Sequence, residues 1–253
     1  MNRPMINPGV TRPPVSLVVI GACAALFGLG YLLQVNDPSG RQISAMFGEL
    51  ALWPVQHPYF GPWQLVTYAF LHGGFSHILF NMFAVWMFGL PVERAWGSRR
   101  FAAFYLACVL GAAVTQLVVQ WLTGSAWPTV GASGAVFGLL LAYGVMWPEN
   151  RIFLIFLPVP IKAKWFVLIY AGIELFFGLT DIMPGIAHFA HLGGLVGGGA
   201  LMMAWGWRPG MTWKRFSTPS IRRRTTTGRN VSSPIRSRAT ACRSPGIRTI
   251  MPA

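Results

Sequence analysis

Charged side chains are scarce in this sequence. Only 10% of the 253 residues are Asp, Glu, Lys or Arg, and just six of them are acids, whereas about 25% are charged in typical soluble domains. Hydrophobic residues make up 54% and the mean hydropathy is +0.51. This composition excludes an ordinary water-soluble domain. It predicts a single-domain, all-α membrane protein, because several apolar stretches reach the roughly 17–25 residues that cross a bilayer.

Cysteine is equally rare. The three cysteines, Cys23, Cys108 and Cys242, lie in two apolar segments and in the C-terminal region, with no CxxC pair and no Cys/His cluster. A disulfide framework is therefore not indicated, and neither a metal site nor a cofactor is expected.

Positive charge is abundant but concentrated at one end. Residues 207–253 hold 11 of the 20 Lys and Arg and none of the six acids, so the basic balance is not that of a nucleic-acid-binding domain. An arginine run at 222–224 lies among Ser, Thr, Pro and Gly, which predicts a disordered basic tail. Two hypotheses stay open for this tail: an unstructured end that reinforces topology, and contact with anionic lipids at about 1 kcal/mol per basic residue.

Six apolar stretches predict six membrane helices. They are placed at roughly 15–35, 69–90, 101–122, 132–147, 164–180 and 187–206. If the N-terminal segment 1–14 is cytoplasmic, every basic residue except Arg41 falls in a cytoplasmic segment, in agreement with the positive-inside rule. We therefore expect a membrane domain over 15–206 with both termini in the cytoplasm. The apolar run 152–161 is too short to span and contains two prolines, which predicts an interfacial segment.

Ser133 is the first candidate for chemistry. It lies in Gly131-Ala132-Ser133-Gly134, at the start of the predicted fourth helix and near its outer end. Glycine at this turn frees backbone N–H groups to face an oxyanion. A small-residue cluster in a membrane helix also serves close packing, so the tetrapeptide alone leaves both interpretations open.

Histidine and asparagine supply the other polar groups. His191 lies about four residues inside the sixth predicted helix, and an ionisable group within the bilayer generally marks function; a histidine bonded to a neighbouring helix is the alternative. His188, one turn earlier, is interpreted as an interface residue. On the second helix, His77 and Asn81 share one face because they are four residues apart, and alone they could be inter-helical hydrogen bonds.

These groups are expected to meet. All lie within about 10 Å of the same membrane surface at 1.5 Å rise per residue. The fourth and sixth helices each carry a GxxxG pair, and small faces let helix backbones approach closely. The glycines of these pairs are Gly134 with Gly138, and Gly194 with Gly198. A serine beside a base is activated as a nucleophile, which predicts acyl-transfer chemistry in a water-accessible cavity.

Taken together, the motifs resemble the rhomboid family over most of residues 60–200. The matching segments are the loop from Trp63 to His72, the His77-x-x-x-Asn81 pair, the pattern formed by Glu93, Gly97, Arg100, Phe101 and Tyr105, the GASG at 131–134, and the His191-x-x-Gly194-x-x-Gly197 run. The resemblance implies a rhomboid-like bundle of six helices.

The resemblance also implies residue roles. Ser133 becomes the nucleophile and His191 the general base and then acid, in a dyad with no carboxylate, while His77, Asn81 and the Ser133 N–H become oxyanion donors. Glu174, the one acid found within a predicted span, is interpreted as a structural hydrogen bond in preference to a catalytic group. Phe137 stands where some relatives have a tyrosine that stacks on the catalytic imidazole, and Gln64 where many have an arginine.

The resemblance implies intramembrane proteolysis of transmembrane protein substrates. The expected partners are these substrates and the lipid bilayer, and nucleic acid is not expected as a partner. The compact layout favours a bacterial inner membrane. One alternative is a catalytically inactive rhomboid-like protein that binds membrane clients. Another is a small transporter, for which the charge network or paired broken helices of such proteins are lacking.

Overall fold

The computed structural model describes residues 13–154, 157–180, 182–183 and 185–207. The predicted N-terminal segment and basic tail lie almost wholly outside these residues. Within them the chain is mainly helical. The helices are α1 (Val15–Asn36), α2 (Arg41–Leu50), α3 (Gln64–Thr67), α4 (Phe75–Ala84), α5 (Leu90–Trp96), α6 (Ser98–Thr123), α7 (Ser133–Met146), α8 (Ala163–Thr180) and α9 (His188–Ala204).

Helices occur at all six predicted membrane positions. Four segments are long and apolar enough to cross a bilayer: Val15–Asn36, Phe75–Trp96, Ser98–Thr123 and Ala163–Thr180. The remaining two, α7 and α9, are shorter, with 14 and 17 residues. The all-α membrane class is thus confirmed, and the two short helices are the ones that carry Ser133 and His191.

The second membrane helix begins later than the predicted residue 69. Tyr68–Phe70 forms a 3-10 turn that continues directly from α3, and the long helix starts only at Phe75. Between them Gly74 is extended, with φ 179°, because two adjacent glycines are poor helix formers. The helix then runs through α4, a π-helical turn at Val85–Gly89, and α5 to Trp96.

The predicted interfacial segment is a β-hairpin. Strands β1 (Arg151–Leu154) and β2 (Leu157–Lys162) pair antiparallel, with Arg151 opposite Lys162, and β2 leads directly into α8. In β1 the β-branched Ile152 and the aromatic Phe153 favour a strand. Next to the hairpin, the exposed Glu149 carboxylate accepts hydrogen bonds from Lys162 at 2.7 Å and Lys164 at 2.5 Å. These bonds lower the pKa of Glu149 to about 2.

Helix α7 is buried along most of its length by α6 and α9. The contacts are made through glycine, as the GxxxG pairs predict. A Cβ on Gly194 would lie 1.9 Å from the Gly134 carbonyl oxygen, and one on Gly138 would lie 2.2 Å from Cys108 Sγ. Backbones therefore touch where any side chain would separate them.

Glu93 ties α1 to the junction between α5 and α6. Its buried carboxylate accepts hydrogen bonds from the Val15 N–H at 2.6 Å, the Ser16 N–H at 2.8 Å, the Ser16 hydroxyl at 2.5 Å and the Ser98 hydroxyl at 2.6 Å. The first N–H groups of a helix have no partner within the helix and favour negative charge. One carboxylate thus caps α1 and holds the start of α6.

Gln64 organises the segment between α2 and α3. Its side chain is fully buried. The amide nitrogen donates to the carbonyl oxygens of Tyr59 at 2.7 Å and Glu49 at 3.2 Å, and the amide oxygen accepts from the Trp53 N–H at 3.2 Å. The loop that the resemblance would close with an arginine is closed here by a neutral amide.

Candidate active site

Ser133 and His191 are in hydrogen-bond contact. The Ser133 Oγ lies 2.7 Å from His191 Nε2, although the two residues are 58 positions apart. Ser133 is the first residue of α7 and is half-buried, and His191 lies in the first turn of α9 with 9% of its surface exposed. The hydroxyl and the imidazole are therefore arranged as a nucleophile and a base require.

Phe137 fixes the plane of the imidazole. It follows Ser133 by one helical turn, and its ring stacks on His191 with centroids 4.7 Å apart and planes inclined by 7°. A phenyl ring thus forms the stack that the resemblance assigns to a tyrosine in some relatives. Stacking limits rotation of the imidazole about its side-chain bonds, so Nε2 stays directed at the serine.

Gly131 makes room for His77 beside the serine. Its φ of +125° is one that L side chains rarely adopt, and its N–H donates to the Tyr68 carbonyl at 3.0 Å. A Cβ at this position would lie 2.7 Å from His77 Nε2 and 3.7 Å from Ser133 Oγ. The missing side chain thus allows the His77 ring to lie next to the nucleophile.

Asn81 lies one turn along α4 from His77 and is 6% exposed. One amide N–H donates to the His77 carbonyl oxygen at 3.0 Å. An amide nitrogen carries two hydrogens, so its second N–H remains available to an acceptor in the cavity.

His72 is buried behind this pair, with its ring edge-on to His77 at a centroid distance of 5.0 Å. Burial, and then the neighbouring His77, lower the pKa of His72 to about 4. The His72 ring is therefore neutral at physiological pH.

The four predicted site residues, Ser133, His191, His77 and Asn81, line one cavity of about 940 Å³. Helices α4, α7, α8 and α9 and strand β1 contribute to its wall. The wall is largely aromatic and apolar, and it includes Phe80, Phe137, Phe153, Phe166 and Tyr170. A small group of polar atoms in a mainly apolar cavity is typical of a ligand-binding site.

Glu174 is in direct contact with the candidate base, His191. Its Oε2 lies 2.8 Å from His191 Nδ1 and 2.7 Å from His188 Nδ1. The expected hydrogen bond is present, but it is made to the candidate base itself, so the expected dyad has a carboxylate neighbour. The scarcity of acids within the apolar helices indicates that Glu174 makes a specific contact. The sequence does not reveal that His191 is the partner, because residue spacing does not determine how α8 and α9 pack against each other.

Sequence comparison matches a rhomboid domain to residues 59–208. The chain is 36% identical over 136 residues to the rhomboid protease GluP of Bacillus subtilis (strain 168), covering 54% of this chain and 24% of that protein. It is 33% identical over 158 residues to the mitochondrial RHOMBOID-like protein 6 of Arabidopsis thaliana, covering 62% and 48%. With RHOMBOID-like protein 5 of the same plant the identity is 32% over 225 residues, covering 78% and 70%. The chain thus spans about a quarter and about half of the first two relatives.

Proposed function

Because this chain belongs to the rhomboid family, we propose that it is an intramembrane serine endopeptidase that hydrolyses peptide bonds in or near the transmembrane helices of other membrane proteins. The observation that carries this proposal is the 2.7 Å contact between Ser133 Oγ and His191 Nε2 at the wall of a large cavity. Acyl transfer needs a nucleophilic hydroxyl that is hydrogen-bonded to a base such as imidazole.

In the proposed reaction, Ser133 attacks the substrate carbonyl carbon and its proton passes to His191 Nε2. The oxyanion that forms is held by His77, by the second N–H of Asn81 and by the Ser133 backbone N–H, and all three residues line the cavity. His191 then gives the proton to the leaving amine, and water hydrolyses the acyl-enzyme.

The substrate is proposed to enter between the Phe75–Trp96 helix and α8, since residues of both line the cavity. An intact substrate helix keeps its carbonyl oxygens in internal hydrogen bonds, so the segment must unwind before attack. Sequences that form weak helices should therefore be preferred.

The chain is an integral membrane protein, and we propose that it lies in a bacterial inner membrane with both termini in the cytoplasm. The distribution of Lys and Arg supports this orientation through the positive-inside rule. Contact between the basic segment 207–253 and anionic lipids stays a prediction, as does the division into segment 1–14, domain 15–206 and tail.

The test uses purified protein and a model transmembrane substrate in detergent or vesicles. Ser133→Ala should lower cleavage by at least about 10³-fold and abolish labelling by a fluorophosphonate probe. Ser44→Ala, on the exposed surface of α2, is the matched control and should retain both. Cleavage at the parent rate by Ser133→Ala would refute the assignment, and a parent protein that binds substrate without cutting or labelling would indicate an inactive client-binding protein.

A further inference from the structure

Glu174, His188 and His191 form a buried polar cluster between α8 and α9. Their exposed fractions are 9%, 6% and 9%. One carboxylate oxygen, Glu174 Oε2, lies within hydrogen-bond distance of Nδ1 of both imidazoles. The carboxylate therefore contacts the candidate base on the side of the ring opposite to Ser133.

The chemistry of this contact fixes the tautomer of His191. An ionised carboxylate only accepts hydrogen bonds, so the Nδ1 atom that it contacts must carry the hydrogen. In a neutral imidazole the other nitrogen, Nε2, then has a free lone pair, and this nitrogen faces Ser133 Oγ at 2.7 Å. That is the tautomer a general base needs.

We propose that Glu174 is a positioning residue that holds His191 in its reactive tautomer and orientation, so that Ser133, His191 and Glu174 work as a triad. This inference rests on the proposed function and adds a third member to its pair. When the serine proton moves to Nε2, the Nδ1 hydrogen stays on the ring, and the carboxylate stabilises the resulting imidazolium without taking a proton. The proton leaves from Nε2 to the departing amine.

His188 is the second imidazole in contact with this carboxylate. It donates from Nδ1 to the same Oε2, and its Nε2 lies 3.4 Å from the Met183 carbonyl oxygen. His188 belongs to the cluster through Glu174, whereas His191 is the ring hydrogen-bonded to the serine. Replacing His188 removes neither the charge of Glu174 nor its hydrogen bond to His191, so His188 provides a control within the same cluster.

A metal ion fits these distances poorly. The three donor atoms lie within 4.8 Å of one another, but each imidazole nitrogen is only 2.7 or 2.8 Å from Oε2. Two ligands of a tetrahedral zinc at about 2.0–2.1 Å would be separated by about 3.3 Å. The shorter spacing is that of direct hydrogen bonds.

The experiment compares Glu174→Gln, Glu174→Asp and His188→Asn in the full-length protein. We expect Glu174→Gln to lower kcat by about 10²-fold with KM changed less than about threefold, because the charge that stabilises imidazolium is lost and the amide can donate to Nδ1. Glu174→Asp keeps the charge and should recover about tenfold of the loss. His188→Asn should lower the thermal unfolding midpoint as much as Glu174→Gln while costing less than about fivefold in kcat.

A readout without substrate separates this inference from the proposed function. In protein labelled with ¹⁵N-histidine, the His191 ring should show the Nδ1–H tautomer, and Glu174→Gln should change that pattern. An unchanged pattern, or a kcat for Glu174→Gln within twofold of the parent, would overturn the inference while leaving the cleavage assay for Ser133 intact. Equal losses of kcat in Glu174→Gln and His188→Asn would overturn it as well, as would an equal loss caused by EDTA in the parent protein.

Discussion

The two sides of α7 differ sharply. Against α6 and α9 the helix packs through glycine and alanine, and a methyl group added at Gly134 would lie 2.4 Å from the Ala112 Cβ. On the side of α4 and α8 it borders a cavity of about 940 Å³. Ser133 lies where the two sides meet, in contact with α9 through His191 and at the cavity wall.

One helix, α7, thus meets two structural requirements. The serine and the imidazole belong to different helices, so their separation depends on how closely the backbones of α7 and α9 approach. A substrate, in contrast, needs space and mobile side chains. Close packing on one side sets the 2.7 Å contact, and the cavity on the other side gives a substrate room to reach Ser133.

The largest effect on cleavage should come from the side of α7 that packs against α6 and α9. Gly194→Ala places a methyl group at a position 1.9 Å from the Gly134 carbonyl oxygen, so α9 must move and carry His191 with it. A displacement near 1 Å costs about 10²-fold in rate, and we expect cleavage to fall by about this factor while the thermal unfolding midpoint drops.

Gly172→Ala is the control for this change, because a Cβ at Gly172 on α8 meets nothing within 4 Å. It should leave cleavage unchanged and stabilise the helix by about 0.5–1 kcal/mol. Equal rates for Gly194→Ala and the parent would show that the spacing of α7 and α9 does not control the reaction.

A smaller effect on kcat is expected at Phe137, which lies between the two sides of α7. Phe137→Ala removes the ring that stacks on His191, and stacking worth about 0.5–1.5 kcal/mol predicts a fall in kcat of about two- to twelvefold. Phe137→Tyr keeps the ring and should stay within about twofold of the parent. Steady-state cleavage assays measure both, and a Phe137→Ala protein with the parent kcat would argue that packing alone orients the imidazole.

The smallest effect is expected for a change in stability next to the hairpin, away from both sides of α7. Hydrogen bonds from Lys162 and Lys164 lower the pKa of Glu149 from 4.5 to about 2, so their stabilisation is complete above pH 4.5 and disappears as the pH falls towards 2. Glu149→Gln should lower the unfolding midpoint slightly at pH 7, and the difference from the parent should shrink between pH 4.5 and 2. A pH-independent difference would assign the effect to packing.

Sequence was informative wherever apolar surroundings make a polar group conspicuous. His191, His77 and Asn81 were singled out because polar side chains in bilayer helices are costly, and the structure brings them to the cavity that Ser133 lines. The glycine pairs of α7 and α9 likewise indicated close approach, since only small residues allow backbones to touch. These inferences needed helix periodicity and depth alone.

Features that depend on how separate elements pack were harder to predict from the sequence. The late start of the second helix follows from the glycine pair at 73 and 74, which outweighs the apolar residues before it. The hairpin at 151–162 was expected only as a segment too short to span. The contact of Glu174 with two histidines depends on the rotation of α8 against α9, which composition does not encode.

Gln64 has a further consequence for the loop that precedes the second membrane helix. An arginine–carboxylate clasp would weaken as dissolved electrolyte screens its charges and would open when the acid is protonated. The amide of Gln64 holds the same region through uncharged dipoles. The conformation of this loop should therefore depend little on ionic strength or on acidification.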